Sequence, residues 1–200
     1  MSTKASVKTS CIIPIYMDRI ELYPIIDNCI NSYKPRKDWE LILVDDASPL
    51  PNDWDITFKQ PVNLGYTGNV NSGVELSKGK NIWIVNDDVV FNDEILEKMD
   101  DVEENTIYLP RWGRDSMDDD KFGFFYGMTR KTWDKLGGLD KQFRDYASDL
   151  DMWKRAKQMG IKIIKWDIVV LHISGATYQG NQQKFNTDIE KYKIKHGKID

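Results

Sequence analysis

Two short apolar runs each stop at a pair of carboxylates. LILV at 41–44 is followed by Asp45-Asp46, and IWIV at 82–85 by Asn86-Asp87-Asp88. Like charges gathered along one edge repel unless a cation joins them. A hard divalent ion, Mg²⁺ or Mn²⁺, takes oxygen ligands, keeps positions open for more, and can neutralise charge building on a departing diphosphate. His172 follows a further apolar run, IVVL at 168–171, and an imidazole suits Mn²⁺ better than Mg²⁺. One carboxylate pair alone is explained equally well as a solvated turn, whereas two pairs at equivalent positions point to a site. The second histidine, His196, lies in a lysine-rich stretch and reads as solvated. The triplet Asp118-Asp119-Asp120 sits in a polar segment and reads as an exposed loop.

The elements that must position these groups follow from hydrophobic periodicity. Strands are expected at 11–16, 41–44, 56–58, 82–85, 107–109, 124–128, 161–166 and 168–172. Helices are expected at 21–33, 69–77, 93–99, 131–136 and 149–159, with Asn92 or Asp93 capping the third. Strands alternating with helices predict an α/β fold with a mainly parallel central sheet flanked by helices. Ligands of such sheets bind beyond the carboxyl ends of the strands, which would bring the two Asp pairs and His172 to one edge. The glycine-bearing segment 63–68 (NLGYTG) lacks the spacing of a phosphate-binding loop or a dinucleotide fingerprint, and by itself reads as a helix entry. From residue 182 the chain is polar and lysine-rich, a surface helix or a loose tail.

At 200 residues the chain suits a single domain. Its 28 basic and 32 acidic residues leave a net charge of -4, without the overall basic footprint of non-specific nucleic-acid binders. No stretch reaches the roughly 18 apolar residues of a membrane span, and residues 1–10 lack an apolar signal core. Cys11 and Cys29 lie in apolar segments and read as reduced core thiols rather than a disulfide. A cytoplasmic protein is the expectation.

Seven segments, in order, resemble the family 2 glycosyltransferases of the GT-A fold: CIIPIY (11–16), LILVDDAS (41–48), NLGYTGNVNSG (63–73), VNDD (85–88), FFYGMTRKTWDKLGGLDKQF (124–143), SDLDMWKR (148–155) and LHISGA (171–176). The resemblance implies one GT-A, Rossmann-like domain over 1–200. Its nucleotide-binding half would cover about 8–105, its acceptor-side half about 106–180, and a polar C-terminal segment about 181–200. It further implies metal-dependent, inverting transfer of a sugar from a UDP- or dTDP-sugar to an acceptor hydroxyl, with Mn²⁺ or Mg²⁺ as cofactor.

Roles carry over residue by residue. Pro14, Tyr16 and Asp46 would line the nucleoside pocket, with Asp46 accepting the N3–H of uracil or thymine, and Gly65 and Asn69 would shape the same pocket. Asp88 would bind the metal, with Asp87 on ribose or metal and His172 as a further ligand. Asp149 would be the general base. Gly127 lies in the acceptor-side segment, and Trp112 would stack on sugar or acceptor or else be buried.

The sequence departs from the family pattern in two places: Asn86 stands where a strict DxD has its first acid, and Ser148 precedes Asp149 where Glu is common. Ser148 and Asp151 have capping-box spacing, so Asp149 also has a plain reading as a first-turn acid. Two other functions fit the elements. One is a nucleotide-sugar binding module without catalysis. The other is a nucleotidyltransferase, which would need a basic glycine-rich loop where Met17-Asp18-Arg19 stands. The acceptor is open: a glycan, a small molecule, a protein, or a modified DNA base held through Lys191, Lys193, Lys195 and Lys198.

Overall fold

The structure, a computed structural model, describes residues 7–112, 123–173 and 182–198. An eight-stranded sheet in the order β3-β2-β1-β4-β7-β6-β8-β5 carries helices on both faces. Its N-terminal side is parallel: β1 (Thr9–Ile15) lies between β2 (Trp39–Asp45) and β4 (Asn81–Val85), with β3 (Phe58–Lys59) outside β2. β7 (Phe125–Thr129) runs antiparallel between β4 and β6 (Thr106–Trp112), and β6 pairs in parallel with β8 (Lys162–His172).

The apolar runs are continuous because both faces of these strands are covered. Cys11, Ile13, Ile15, Leu43, Trp83, Val85 and Phe125 pack on one face under α1 (Tyr23–Ser32) and α3 (Asp93–Lys98). Ile12, Ile42, Val44, Ile82, Ile84 and Tyr126 pack on the other, under α2 (Gly65–Leu76), α4 (Arg130–Leu136) and α5 (Ser148–Gln158). Cys11 and Cys29 are both buried free thiols, and burial pushes both up. Asn92 caps α3 as expected, its Oδ1 accepting the Ile95 N–H at 2.9 Å. No helix among the described residues is long and apolar enough to cross a membrane.

Three expectations about elements change. The two strands at 161–166 and 168–172 are one strand, β8, with a register shift opposite Pro110 between Leu109 and Arg111 of β6. A proline has no N–H to give the ladder, so pairing slips there. Helix α2 begins at Gly65 rather than at 69. Its first residue takes φ +78, and a Cβ there would come within 2.5 Å of Arg144 Cγ, so only glycine fits. A short strand, β5 (Val89–Val90), went unforeseen; it pairs antiparallel with the end of β8, opposing Val89 to His172.

The C-terminal segment is not a loose tail. α6 (Gln182–His196) buries Tyr192 against Phe143 and Ala147. Asp188 accepts the N–H groups of Asp145 and Tyr146 at 2.9 and 3.0 Å. The plain reading of His196 as solvated is overturned: its ring is nearly buried, with Nε2 2.7 Å from Asp151 Oδ1. Asp151 also receives Arg155 and Lys195, at 2.7 and 2.6 Å. It therefore makes no capping box with Ser148. Ala147 instead enters the helix at φ 60, in the left-handed region.

Burial alone would raise Asp151 and Asp188, yet their cationic and N–H partners hold both below the usual carboxylate range. A depressed carboxylate contributes stability above its unfolded pKa of about 4, and that stability is lost as pH falls through the lower folded value. Docking of α6 is thus expected to weaken below about pH 4. Amide hydrogen exchange in 182–196 should accelerate there ahead of exchange in β1 and β4, and uniform exchange across the chain would contradict this.

Candidate active site

The carboxyl ends of β1, β2 and β4 bring Tyr16, Asp46, Asp87 and Asp88 to one edge, as the sequence predicts. Asp45 is the exception among the acids. Its carboxylate faces inward, accepting the Ser48 N–H at 2.7 Å and lying 3.1 Å from Lys59 Nζ, so it belongs to the turn rather than to a cation site.

Asp88 and His172 meet because β5 folds back on β8. Asp88 Oδ1 is 3.1 Å from His172 Nε2, and the Asp88 carbonyl accepts the Ile173 N–H at 2.9 Å. The imidazole lies flat on the Phe124 ring, with centroids 4.4 Å apart and planes 9° apart. Asp88 Oδ1 and Asn86 Oδ1 are both buried oxygens that accept no hydrogen bond. Two ligands adjacent on an octahedral ion with bonds of about 2.1 Å stand about 3 Å apart, which the Asp88–His172 separation matches. One carboxylate and one imidazole form a donor set suited to Mn²⁺. Among the described residues no three His, Cys, Asp or Glu side chains converge on a metal position. A cation here would keep most of its shell for phosphate oxygens and water, as Mg²⁺ and Mn²⁺ sites do.

Asp87 is nearly buried and receives the Tyr16 N–H. Burial, then the neighbouring Asp88, push it up to about 8. Asp46 is buried too, but both its oxygens are engaged: Oδ1 takes the Leu64 N–H at 2.7 Å and Oδ2 the Gly65 N–H at 2.8 Å. Burial raises it, partly offset by those two donors. Asp46 thus anchors the entry of α2, and each oxygen keeps a lone pair for a ligand. Asn69 works from behind: its Nδ2 donates to the Val44 carbonyl at 2.7 Å, tying α2 to β2. Pro14 is buried inside β1, opposite Val44, while Tyr16 just beyond the strand is 40% exposed and free to meet a ligand.

Asp149 opens α5. Its Oδ2 accepts the Gly123 N–H at 3.0 Å and its Oδ1 the Leu150 N–H at 2.8 Å. Burial raises its pKa, opposed by these N–H groups and its own. A raised carboxylate is a better proton acceptor near neutral pH. Tyr66 was missed in the sequence. Its hydroxyl donates to the Gly123 carbonyl at 3.3 Å. Burial first, then the charges of Asp149, Asp87 and Asp88, hold that phenol well above its ordinary range. Through Gly123, which bonds both Tyr66 and Asp149, the entries of α2 and α5 are tied together. A tyrosine in a glycine loop carries no spacing signal, so only the fold identifies it.

Two assignments change. Gly127 does not face a sugar: it opposes Trp83 in the β4–β7 ladder, and a Cβ on it would come within 2.2 Å of the indole. Its smallness makes room for Trp83 in the core. The proposed lysine patch is also largely engaged. Lys191 bonds Asp188 at 2.8 Å, Lys193 bonds Glu190 at 2.6 Å, and Lys195 bonds both Asp140 and Asp151 at 2.6 Å. Trp112 ends β6, but its side chain lies outside the described residues, as do Asp118, Asp119 and Asp120.

No curated protein matches this sequence. Among solved structures the fold resembles mannosyltransferase PcManGT from Pyrobaculum calidifontis in complex with GDP-Man and Mn²⁺. That match has a TM-score of 0.67 at 17% identity, covering 96% of this chain and 66% of that one. It also resembles S. aureus TarS 1-349, with a TM-score of 0.62 at 14% identity, covering 94% and 72%. GalNAc-T7 with UDP, GalNAc and Mn²⁺ matches with a TM-score of 0.61 at 13% identity, covering 85% and 44%. The chain spans 66% of the first of these and less than half of the last. The sequence profile of glycosyl transferase family 2 matches residues 10–160, three quarters of the chain, and with the sheet order and the acidic edge above it, the chain belongs to that family.

Proposed function

We propose that this protein transfers a sugar from a nucleoside diphosphate donor to an acceptor hydroxyl by a single, inverting displacement. The observation that supports the reading best is geometric: Gly123 donates its N–H to Asp149, and the next residue, Phe124, accepts the Asn86 N–H and stacks on His172, which lies 3.1 Å from Asp88. A divalent cation at Asp88 and His172 would neutralise charge on the departing diphosphate. Asp88 and His172 would hold that cation, with Asp87 next to Asp88 in the chain. Asp149 would accept the acceptor's proton, its rotamer fixed by two N–H groups and each oxygen keeping lone-pair capacity. Inversion follows from one displacement with one base and comes from the family likeness.

This reading is favoured over a binding module, which has no need of a half-buried carboxylate clamped by two backbone N–H groups. It is favoured over a nucleotidyltransferase because Met17-Asp18-Arg19 makes no phosphate loop: the Met17 N–H goes to Ser48 Oγ at 2.8 Å and Arg19 pairs with Asp18. The engaged lysines give no support to a DNA acceptor. A screen of nucleotide sugars for released nucleoside diphosphate, with and without Mn²⁺ or Mg²⁺, tests the proposal. Release by no donor in the presence of either ion would remove it.

Uracil or thymine is the proposed base, read by the lone pairs that Asp46 retains. UDP is then expected to bind at least tenfold more tightly than CDP, whose base has no N3–H. Asp46→Asn, which keeps one acceptor oxygen, should lose part of that preference. Asp46→Ala should lose all of it and also cost about 1 kcal/mol of stability, the usual loss when a side chain capping a helix entry is removed. Calorimetry giving equal UDP and CDP affinity for the parent protein would leave Asp46 only its anchoring of α2.

A further inference from the structure

The proton acceptor and the cation pair come from elements far apart in sequence, yet one dipeptide touches both. The Gly123 N–H donates to Asp149 Oδ2 at 3.0 Å, and the Gly123 carbonyl accepts the Tyr66 hydroxyl at 3.3 Å. One residue on, the Phe124 carbonyl accepts the Asn86 N–H at 2.8 Å, at the head of the Asn86-Asp87-Asp88 turn, while the Phe124 ring stacks on His172. Phe124 is 6% exposed, so its ring is fixed by packing as well as by the imidazole. The fit at Gly123 is close: a Cβ there would stand 2.6 Å from Asp149 Cβ and 3.0 Å from Oδ2. A contact at 2.6 Å to a Cβ is not relieved by rotating a side chain, so either α5 or the segment itself must move.

We propose that Gly123-Phe124 is a positioning strap that sets the distance between the Asp149 carboxylate and the His172 imidazole. The inference rests on the functional reading above and deepens it. Neither residue touches donor or acceptor in this role; both act through the groups they hold. The strap also explains why the ends of β7 and β8 must be read together. Phe125 begins β7 beside Val85, and His172 ends β8 opposite Val89, so Phe124 closes the gap between the two strand ends.

The test uses Mn²⁺ alone and the titration of one carboxylate, so it needs no donor or acceptor. Gly123→Ala is expected to weaken Mn²⁺ binding threefold or more, followed by the ion's paramagnetic resonance signal. The same variant should raise the titration midpoint of Asp149, followed by carbon-13 NMR, because the carboxylate loses an N–H donor. Phe124→Leu keeps an apolar side chain and removes the stacked ring. It should weaken Mn²⁺ binding to a similar degree, and Phe124→Tyr should restore it. A purely structural role would lower the melting temperature of both variants without this rescue.

Should Gly123→Ala fail to fold, the Phe124→Leu and Phe124→Tyr pair decides alone: equal Mn²⁺ affinity in both and in the parent overturns the strap. A folded Gly123→Ala that matches the parent in Mn²⁺ affinity and in Asp149 titration overturns it equally. A parent that binds neither Mn²⁺ nor Mg²⁺ overturns the functional reading itself, which separates the two failures.

Discussion

Asp88→Ala is expected to lower donor turnover roughly a thousandfold, and a chelator should do the same to the parent protein. A bound divalent cation supplies several kcal/mol of charge stabilisation to a departing diphosphate, and each 1.4 kcal/mol or so is tenfold in rate. His172→Ala should cost less, because the carboxylate of Asp88, the charged ligand, remains. The variant should not unfold the protein. Asp88 holds Ile173 through its backbone carbonyl, which the substitution keeps. Removing its charge also relieves Asp87, whose pKa of about 8 reflects burial and the proximity of Asp88.

That value has its own consequence. A raised carboxylate gives stability below its unfolded pKa of about 4 and loses it as pH climbs through the folded value, near 8. The metal-free protein should therefore lose stability at this site between about pH 4 and 8, against the trend set by Asp151 and Asp188. A cation beside Asp87 reverses the preference and drives the proton off. Mn²⁺ binding at pH 7 should release about one proton and tighten as pH approaches 8. Calorimetry in two buffers of different ionisation enthalpy counts that proton. Full turnover in excess chelator would end the metal assignment.

The acidic edge was legible because strand patterning is local. Runs such as LILV and IWIV report burial on both faces, and the Asp pairs that end them mark the carboxyl edge directly. What the pattern could not carry was pairing between distant segments. Val89-Val90 is too short to register as a strand, yet its pairing with β8 is what brings Asp88 within 3.1 Å of His172.

The same limit explains Gly127 and His196. Read along the chain, Gly127 belongs to a segment associated with acceptors; across the sheet it yields space to Trp83. His196 belongs to a lysine-rich stretch by composition, but its helix docks on a buried aspartate 45 residues earlier. Tyr66 and Gly123 escaped for a related reason, since their importance lies in a hydrogen bond between a helix entry and a strand entry. Asp45 and Asp46 separate on an even finer scale. Adjacent carboxylates point opposite ways along a strand, so one serves Lys59 and the turn while the other reaches the helix α2 entry.

Asp149→Asn carries the sharpest expectation about the chemistry. The substitution keeps the shape of the side chain and an oxygen for the Gly123 or Leu150 N–H, and removes the basicity. Positioned base catalysis typically contributes about 10²–10⁴-fold, so turnover should fall by that factor. Nucleotide affinity and Mn²⁺ affinity should stay within about twofold of the parent, since a general base acts on the proton of the acceptor and not on the diphosphate. The opposing view makes Asp149 a first-turn acid that favours the positive end of α5. On that view the change would cost about 0.3–1 kcal/mol of stability and leave turnover near normal.

The geometry argues for the base. A residue serving only the helix end has no need of the Gly123 N–H, which comes from outside the helix and fixes the carboxylate. The pH dependence separates the two as well. With its pKa raised by burial, Asp149 must lose its proton before it can accept one, so parent turnover should rise with pH through that pKa and then level off. In Asp149→Asn the residual rate should lack that rise. A variant transferring at the parent rate would end the assignment and turn attention to Asp145, which lies beside the entry of α2, 2.8 Å from where a Cβ on Gly65 would stand.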